Sequence, residues 1–65
     1  MFVIRRTDGA FVAPAGRVQS YTPLLQEAVV YQTRELAEAN RCPGNEHVVP
    51  IQDLLHMHRS QTQFN

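Results

Sequence analysis

The stretch FVIRRTDGAFVAP, Phe2 to Pro14, decides the fold. Two runs of β-forming residues flank Asp8-Gly9. Asp-Gly between apolar runs is a strong hairpin signal, because Asp and Gly tolerate the positive φ of a tight turn best. A two-residue loop at Asp8-Gly9 pairs Arg6 with Phe11 and Ile4 with Ala13. Phe2, Ile4, Phe11 and Ala13 then share one face, which is assigned to the core. Val3, Arg5 and Val12 fall on the other. Pro14 lacks a donor, so the second strand ends there or has a free edge.

The chain continues with a loop, Ala15 to Ser20, and then SYTPLLQEA, residues 20–28. Thr22 suits a helix cap and Pro23 the first helical position, which predicts a short helical turn. Leu24 or Leu25 plugs the core edge. Val29-Val30-Tyr31 is β-branched and aromatic and reads as a third strand. Thr33 caps a helix over Arg34 to Arg41, with Leu36, Ala37 and Asn40 on adjoining parts of one face. Cys42-Pro43-Gly44-Asn45 stops it. His47-Val48-Val49 reads as a fourth strand before Pro50. Ile51, Leu54, Leu55 and His58 fall at i, i+3, i+4 and i+7, the stripe of a short final helix. The expectation is an α+β fold: a small antiparallel-rich sheet of three to four strands, with one main helix and a short C-terminal helix packed on one face. One domain covers residues 1–59, and residues 60–65 form a disordered tail.

Composition narrows the function. The chain has 65 residues, enough for one core. A domain this small buries only about 60% of the surface its unfolded form exposes. An enclosed catalytic pocket would use up scarce core volume, so a non-enzyme is expected. Six acids balance six bases, all of the bases arginine, for a formal net charge of zero. That is no strong footprint for nucleic acid or membrane. One cysteine excludes an intramolecular disulfide. No secretory leader and no membrane-spanning apolar run is read in the sequence, so a cytoplasmic location is expected.

Two constellations carry chemistry. Cys42, His47, His56 and His58 are metal-ligating types, but His56 and His58 on a helix point about 200° apart. Zinc sites prefer paired spacings such as C-x₂-C with H-x₃-H. A Cys42–His47 nucleophile is disfavoured because Cys42 follows a helix C-terminus, where the dipole opposes a thiolate. Cys42 is read instead as a small apolar residue closing the helix on the sheet. Of the carboxylates, Glu35 with Glu38 reads as solvated helix surface. Glu46 with Asp53 brackets a strand without a visible partner. Arg5, Arg6 and Arg17, with Tyr21 and Tyr31, form a candidate basic face with stacking groups.

With these elements placed, the chain resembles a loose set of short, mostly uncharacterised proteins of phages, prophages and proteobacterial genomes. The likeness rests on an aromatic-Val-Ile strand (Phe2 to Ile4), Gly9, Phe11, Thr22, Leu24 or Leu25, Ala28, Tyr31, Thr33, Glu35 or Ala37, and Val48 to Pro50. It covers residues 2 to about 54 and implies no catalytic residues and no cofactor. It implies a mobile-element accessory factor that binds a protein, such as a host protein. The reading that follows is protein–protein contact, with a homodimer expected through an open strand edge. Val3, Arg5, Val12, Arg17, Tyr21 and Val29 are its candidate interaction surface. The alternatives are a small nucleic-acid-associated regulator using Arg5, Arg6 and Arg17, and a metal-binding protein using Cys42 and the histidines.

Overall fold

The structure, a computed structural model, describes residues 1–55. It is an α+β fold: a four-stranded antiparallel sheet, one main helix and a short second helix. Strand β1 spans Phe2–Arg6, β2 Phe11–Val12, β3 Tyr21–Thr22 and β4 Glu46–Pro50, and they lie side by side in the order β3-β2-β1-β4. Helix α1 spans Arg34–Asn40. Residues 51–55 form the second helix, α2. The expected tail and the domain boundary at residue 59 lie outside the described residues.

The hairpin forms where expected, but with a different loop. The Gly9 N–H donates to Arg6 O at 2.9 Å, and the Arg6 N–H donates to Ala10 O at 2.6 Å. The loop therefore holds three residues, Thr7-Asp8-Gly9. A two-residue type I′ turn needs positive φ at both central positions. Here Gly9 alone takes it, at 100°, and among the described residues no non-glycine residue has positive φ. The Asp8 carboxylate fixes the turn by accepting the Ala10 N–H at 3.1 Å.

That extra residue moves the register. Arg5, not Arg6, lies opposite Phe11. A one-residue slip swaps the faces of one strand relative to the other. Phe11 therefore shares a face with Val3 and Arg5, while Phe2, Ile4 and Val12 share the opposite one. The face assignment expected from a two-residue loop is corrected accordingly.

Both faces are covered. On one side Val3, Phe11 and Ala28 form a core with Leu25, Val49, Ile51 and Leu54. On the other, α1 lies against β1 and β4, and both Ile4 and Ala37 are fully buried. The Arg34 guanidinium carbon lies 5.0 Å from the Phe2 ring centre, also on that side. This explains apolar residues at both parities of β1. Burying Val3 and Ile4 completely contributes roughly 1.5–3 kcal/mol each.

The connections refine three expectations. Tyr21-Thr22, read as a helix start, is the third strand: Phe11 faces Thr22 and Val12 faces Tyr21. Thr22 Oγ1 accepts the Leu24 N–H at 3.2 Å, and the helical turn is a 3₁₀ turn at Leu25–Glu27 with no side-chain cap. Val29-Val30-Tyr31 is not a full strand. The Val29 N–H reaches Val12 O, and Tyr31 exchanges two backbone hydrogen bonds with Phe2. The segment thus takes over the flank of β1 that β2 leaves when Pro14 ends it.

Helix α1 follows its sequence signals. Thr33 Oγ1 accepts the Leu36 N–H at 3.2 Å, and Glu35 occupies the first turn, near the positive helix end. The helix ends at Asn40, whose Nδ2 donates to Leu36 O at 2.7 Å. Of the expected face, only Ala37 is buried; Leu36 and Asn40 are exposed. Strand β4 pairs with β1 from Phe2↔Pro50 to Arg6↔Glu46.

Candidate functional site

Neither sheet edge offers a long open ladder. In β4 the hydrogen-bonded pairs include Thr7 with Asn45 and Met1 with Ile51. Alternation then turns the backbone of residues 46, 48 and 50 outward. The Glu46 N–H is taken by Cys42 O, and Pro50 has none, so Val48 holds the one free outward donor of β4. In β3 the Ala13–Ser20 bond turns Tyr21 outward, and Pro23 follows two residues later. Each edge therefore has one outward N–H followed by a proline, the pattern that blunts strand addition. Among the described residues both edges are open but short of donors.

A groove opens instead on the Val3 side. It holds about 660 Å³ and runs between the 3₁₀ turn and α2. Phe11, Leu25 and Ile51 line its depth, where the sheet core reaches the surface. Leu24, Val30 and Leu55 also line it, 44%, 49% and 51% exposed. Large apolar side chains gathered around one concavity mark a binding surface more than a solvent face.

Among the described residues, Arg5 is the one charged residue lining this groove. Strand alternation directs it there, on the same face as Phe11 and Val3. Its Nε donates to Gly9 O at 3.1 Å, and its guanidinium carbon lies 5.1 Å from the Phe11 ring centre. The hairpin loop and the ring thus hold the guanidinium in place.

The expected interaction residues separate. Val3 is fully buried and forms core, not surface. Val12 and Val29 are half-buried and joined through their backbones. Arg17 and Tyr21 share a smaller hollow of about 280 Å³ near β3. Only Arg5 reaches the large groove. Leu24, Val30 and Leu55 were not singled out as surface residues by the sequence; the Leu24-Leu25 pair carried a signal, since one of two adjacent leucines beside a sheet must face outward.

Arg5 separates from the rest of the expected basic face, while Arg6 and Arg17 both lie beside Tyr21. Arg5 and Arg6 are neighbours on a strand and point to opposite faces. Arg6 is bound to Asp8, with Nη2 2.6 Å from Oδ2, and its guanidinium carbon lies 4.0 Å from the centre of the Tyr21 ring. This pairing holds the Asp8 carboxyl at about 2, below its ordinary value, helped by the Ala10 N–H.

Glu46 gains the partners that the sequence did not reveal. It is buried; Oε1 accepts the Cys42 N–H at 2.7 Å, and Oε2 accepts the Tyr21 hydroxyl proton. That hydrogen bond, and then burial, raises the Tyr21 pKa above its ordinary value. Cys42 itself is exposed and does not close the helix on the sheet. Among the described residues, no three His, Cys, Asp or Glu side chains gather as a metal site. His56 and His58 lie outside those residues.

Compared with known proteins, the chain matches no family model, no curated protein and no solved structure. Among the described residues, no helix is long and apolar enough to cross a membrane.

Proposed function

We propose that this chain is a non-enzymatic protein that acts by protein contact, with the Arg5 groove as its docking surface. One observation carries the reading: Leu24, Val30 and Leu55 stand about half exposed around a single concavity that continues the core. In a domain of this size each half-exposed side chain forgoes roughly 0.7–1.5 kcal/mol of burial, which a partner can recover. The role of a phage-type or mobile-element accessory factor, acting in the cytoplasm on a host protein, belongs to the same proposal. It is supported by the sequence resemblance, and genome neighbours of phage type are its expected context.

The test places a photo-crosslinking residue at position 24, and in a second protein at position 35 on the exposed side of α1. Illumination in the producing cell should give a discrete adduct at 24 and none at 35. Val30→Asp should remove it. Adducts of equal strength at both positions, or none at either, would defeat the reading. An adduct of twice the chain's mass would assign the groove to a second copy.

A further inference from the structure

Resting on that docking reading, we infer that the occupant is an apolar peptide segment of a partner protein carrying one carboxylate, with Arg5 as its polar anchor. The argument is charge complementarity inside an apolar wall. Among the described residues, Arg5 is the groove's sole charge and makes no ion pair. Its Nε is engaged by Gly9 O, which leaves the two terminal amino groups without a protein acceptor among the described residues. A guanidinium fixed through Nε and a ring face presents those amino groups as donors suited to carboxylate oxygens.

Its neighbour sharpens the contrast. Arg6 has its carboxylate, Asp8, beside it in the chain. Asp8 therefore answers the opposite face, and among the described residues no acid in the groove answers Arg5. Among the described residues the lining itself holds no carboxylate, so a groove-on-groove dimer pairs Arg5 with no lining acid. Residues 56–65 contain no Asp or Glu either. The carboxylate is assigned to the partner segment on the complementarity of Arg5, since the described lining supplies none. A volume of about 660 Å³ suits a few side chains of a short segment, in the range of ordinary ligand clefts. An amphipathic segment with apolar anchors and one acid supplies both the burial that Leu24, Val30 and Leu55 lack and the acceptor that Arg5 lacks.

The experiment titrates the full chain into fluorescein-labelled 14-residue amphipathic peptides. One pool has leucines at i, i+3, i+4 and i+7 with a single Glu at varied positions; a matched pool carries Gln instead. The best Glu peptide should bind about tenfold more tightly than its Gln twin, the size of a charge-assisted hydrogen bond. Arg5→Gln should erase that difference, so that the Glu peptide and its Gln twin bind alike. Arg5→Lys, which keeps the charge but loses the fork, should retain only part of it. Leu24→Ser should weaken both pools. Equal binding of Glu and Gln peptides would overturn the carboxylate anchor while leaving the docking groove standing. Failure of both pools would overturn both. Tighter binding of dodecanoate than of any peptide would replace the protein partner with a lipid.

Discussion

The hydroxyl of Tyr21 donates to the carboxylate of Glu46, joining the two outermost strands of the sheet over its Ile4 face. Arg6, on β1, stacks on the Tyr21 ring while gripping Asp8. Glu46 also holds the Cys42 N–H, so one buried carboxylate ties β3, β4 and the turn after α1. A buried charge is tolerated only when its oxygens are satisfied, as they are here.

Glu46→Ala is therefore expected to destabilise the fold by about 2 kcal/mol, the usual cost of losing hydrogen bonds to a charged group. Tyr21→Phe should lower the urea midpoint less. The double variant should unfold close to Glu46→Ala alone, because both substitutions remove the same bond. Additive losses in urea denaturation would show that Tyr21 and Glu46 act separately.

Two pH limbs follow from opposite shifts. The Asp8 carboxyl is lowered in the fold to about 2 from 3.8. Its contribution is thus complete above about pH 4 to 5 and fades as pH falls through about 2. Asp8 is exposed, so solvent screening keeps this limb shallow. The Tyr21 hydroxyl is raised above 10. Its contribution is complete below pH 10 and is lost as pH rises through its folded value. Asp8→Asn should flatten the acid limb of a melting-temperature profile and leave the alkaline limb; Tyr21→Phe should do the reverse. An unchanged acid limb in Asp8→Asn would contradict the Arg6–Asp8 assignment.

Neighbouring residues of α1 should answer oppositely to change. Ala37 is fully buried against the sheet, whereas Leu36 is half exposed. Ala37→Leu has no room and should cost about 1–3 kcal/mol. Leu36→Ala should shift stability by no more than about 0.5 kcal/mol. Chemical denaturation with circular dichroism measures both, and the reverse ranking would place the helix on its other face.

Pro50 removes an outward donor from the β4 edge. Pro50→Thr restores it two residues from the Val48 N–H and gives the strand a second edge donor. Sedimentation velocity at rising concentration should then show self-association that the parent chain lacks at the same concentration. A Pro50→Thr chain that behaves like its parent would mean that the proline does not guard the edge.

Much of the fold was legible where local chemistry governs. Thr33 capped α1 as its side chain predicted, and Asp8-Gly9 turned the hairpin at its expected place. The loop length was not legible, because Asp-Gly serves both two- and three-residue turns. That single ambiguity exchanged Val3 for Ile4 as the partner of Phe11 and misassigned both faces. The third strand was missed because Thr22-Pro23 looks like a helix start. Its hydroxyl does bond the Leu24 N–H, but from a strand end. In the candidate site, Arg5 was visible as one arginine among several. Its isolation in an apolar groove was not, because Leu24 lies beside it only after folding.

The amino-acid order alone determined the class: one small α+β unit with its turn, its capped helix and its apolar segments, all products of interactions within a few residues. Only the tertiary structure decided which side of each strand is inside, which arginine finds an acid, and which leucines remain uncovered. Those outcomes depend on register and on elements distant in the chain. A one-residue change in a loop reverses a face without altering any local preference.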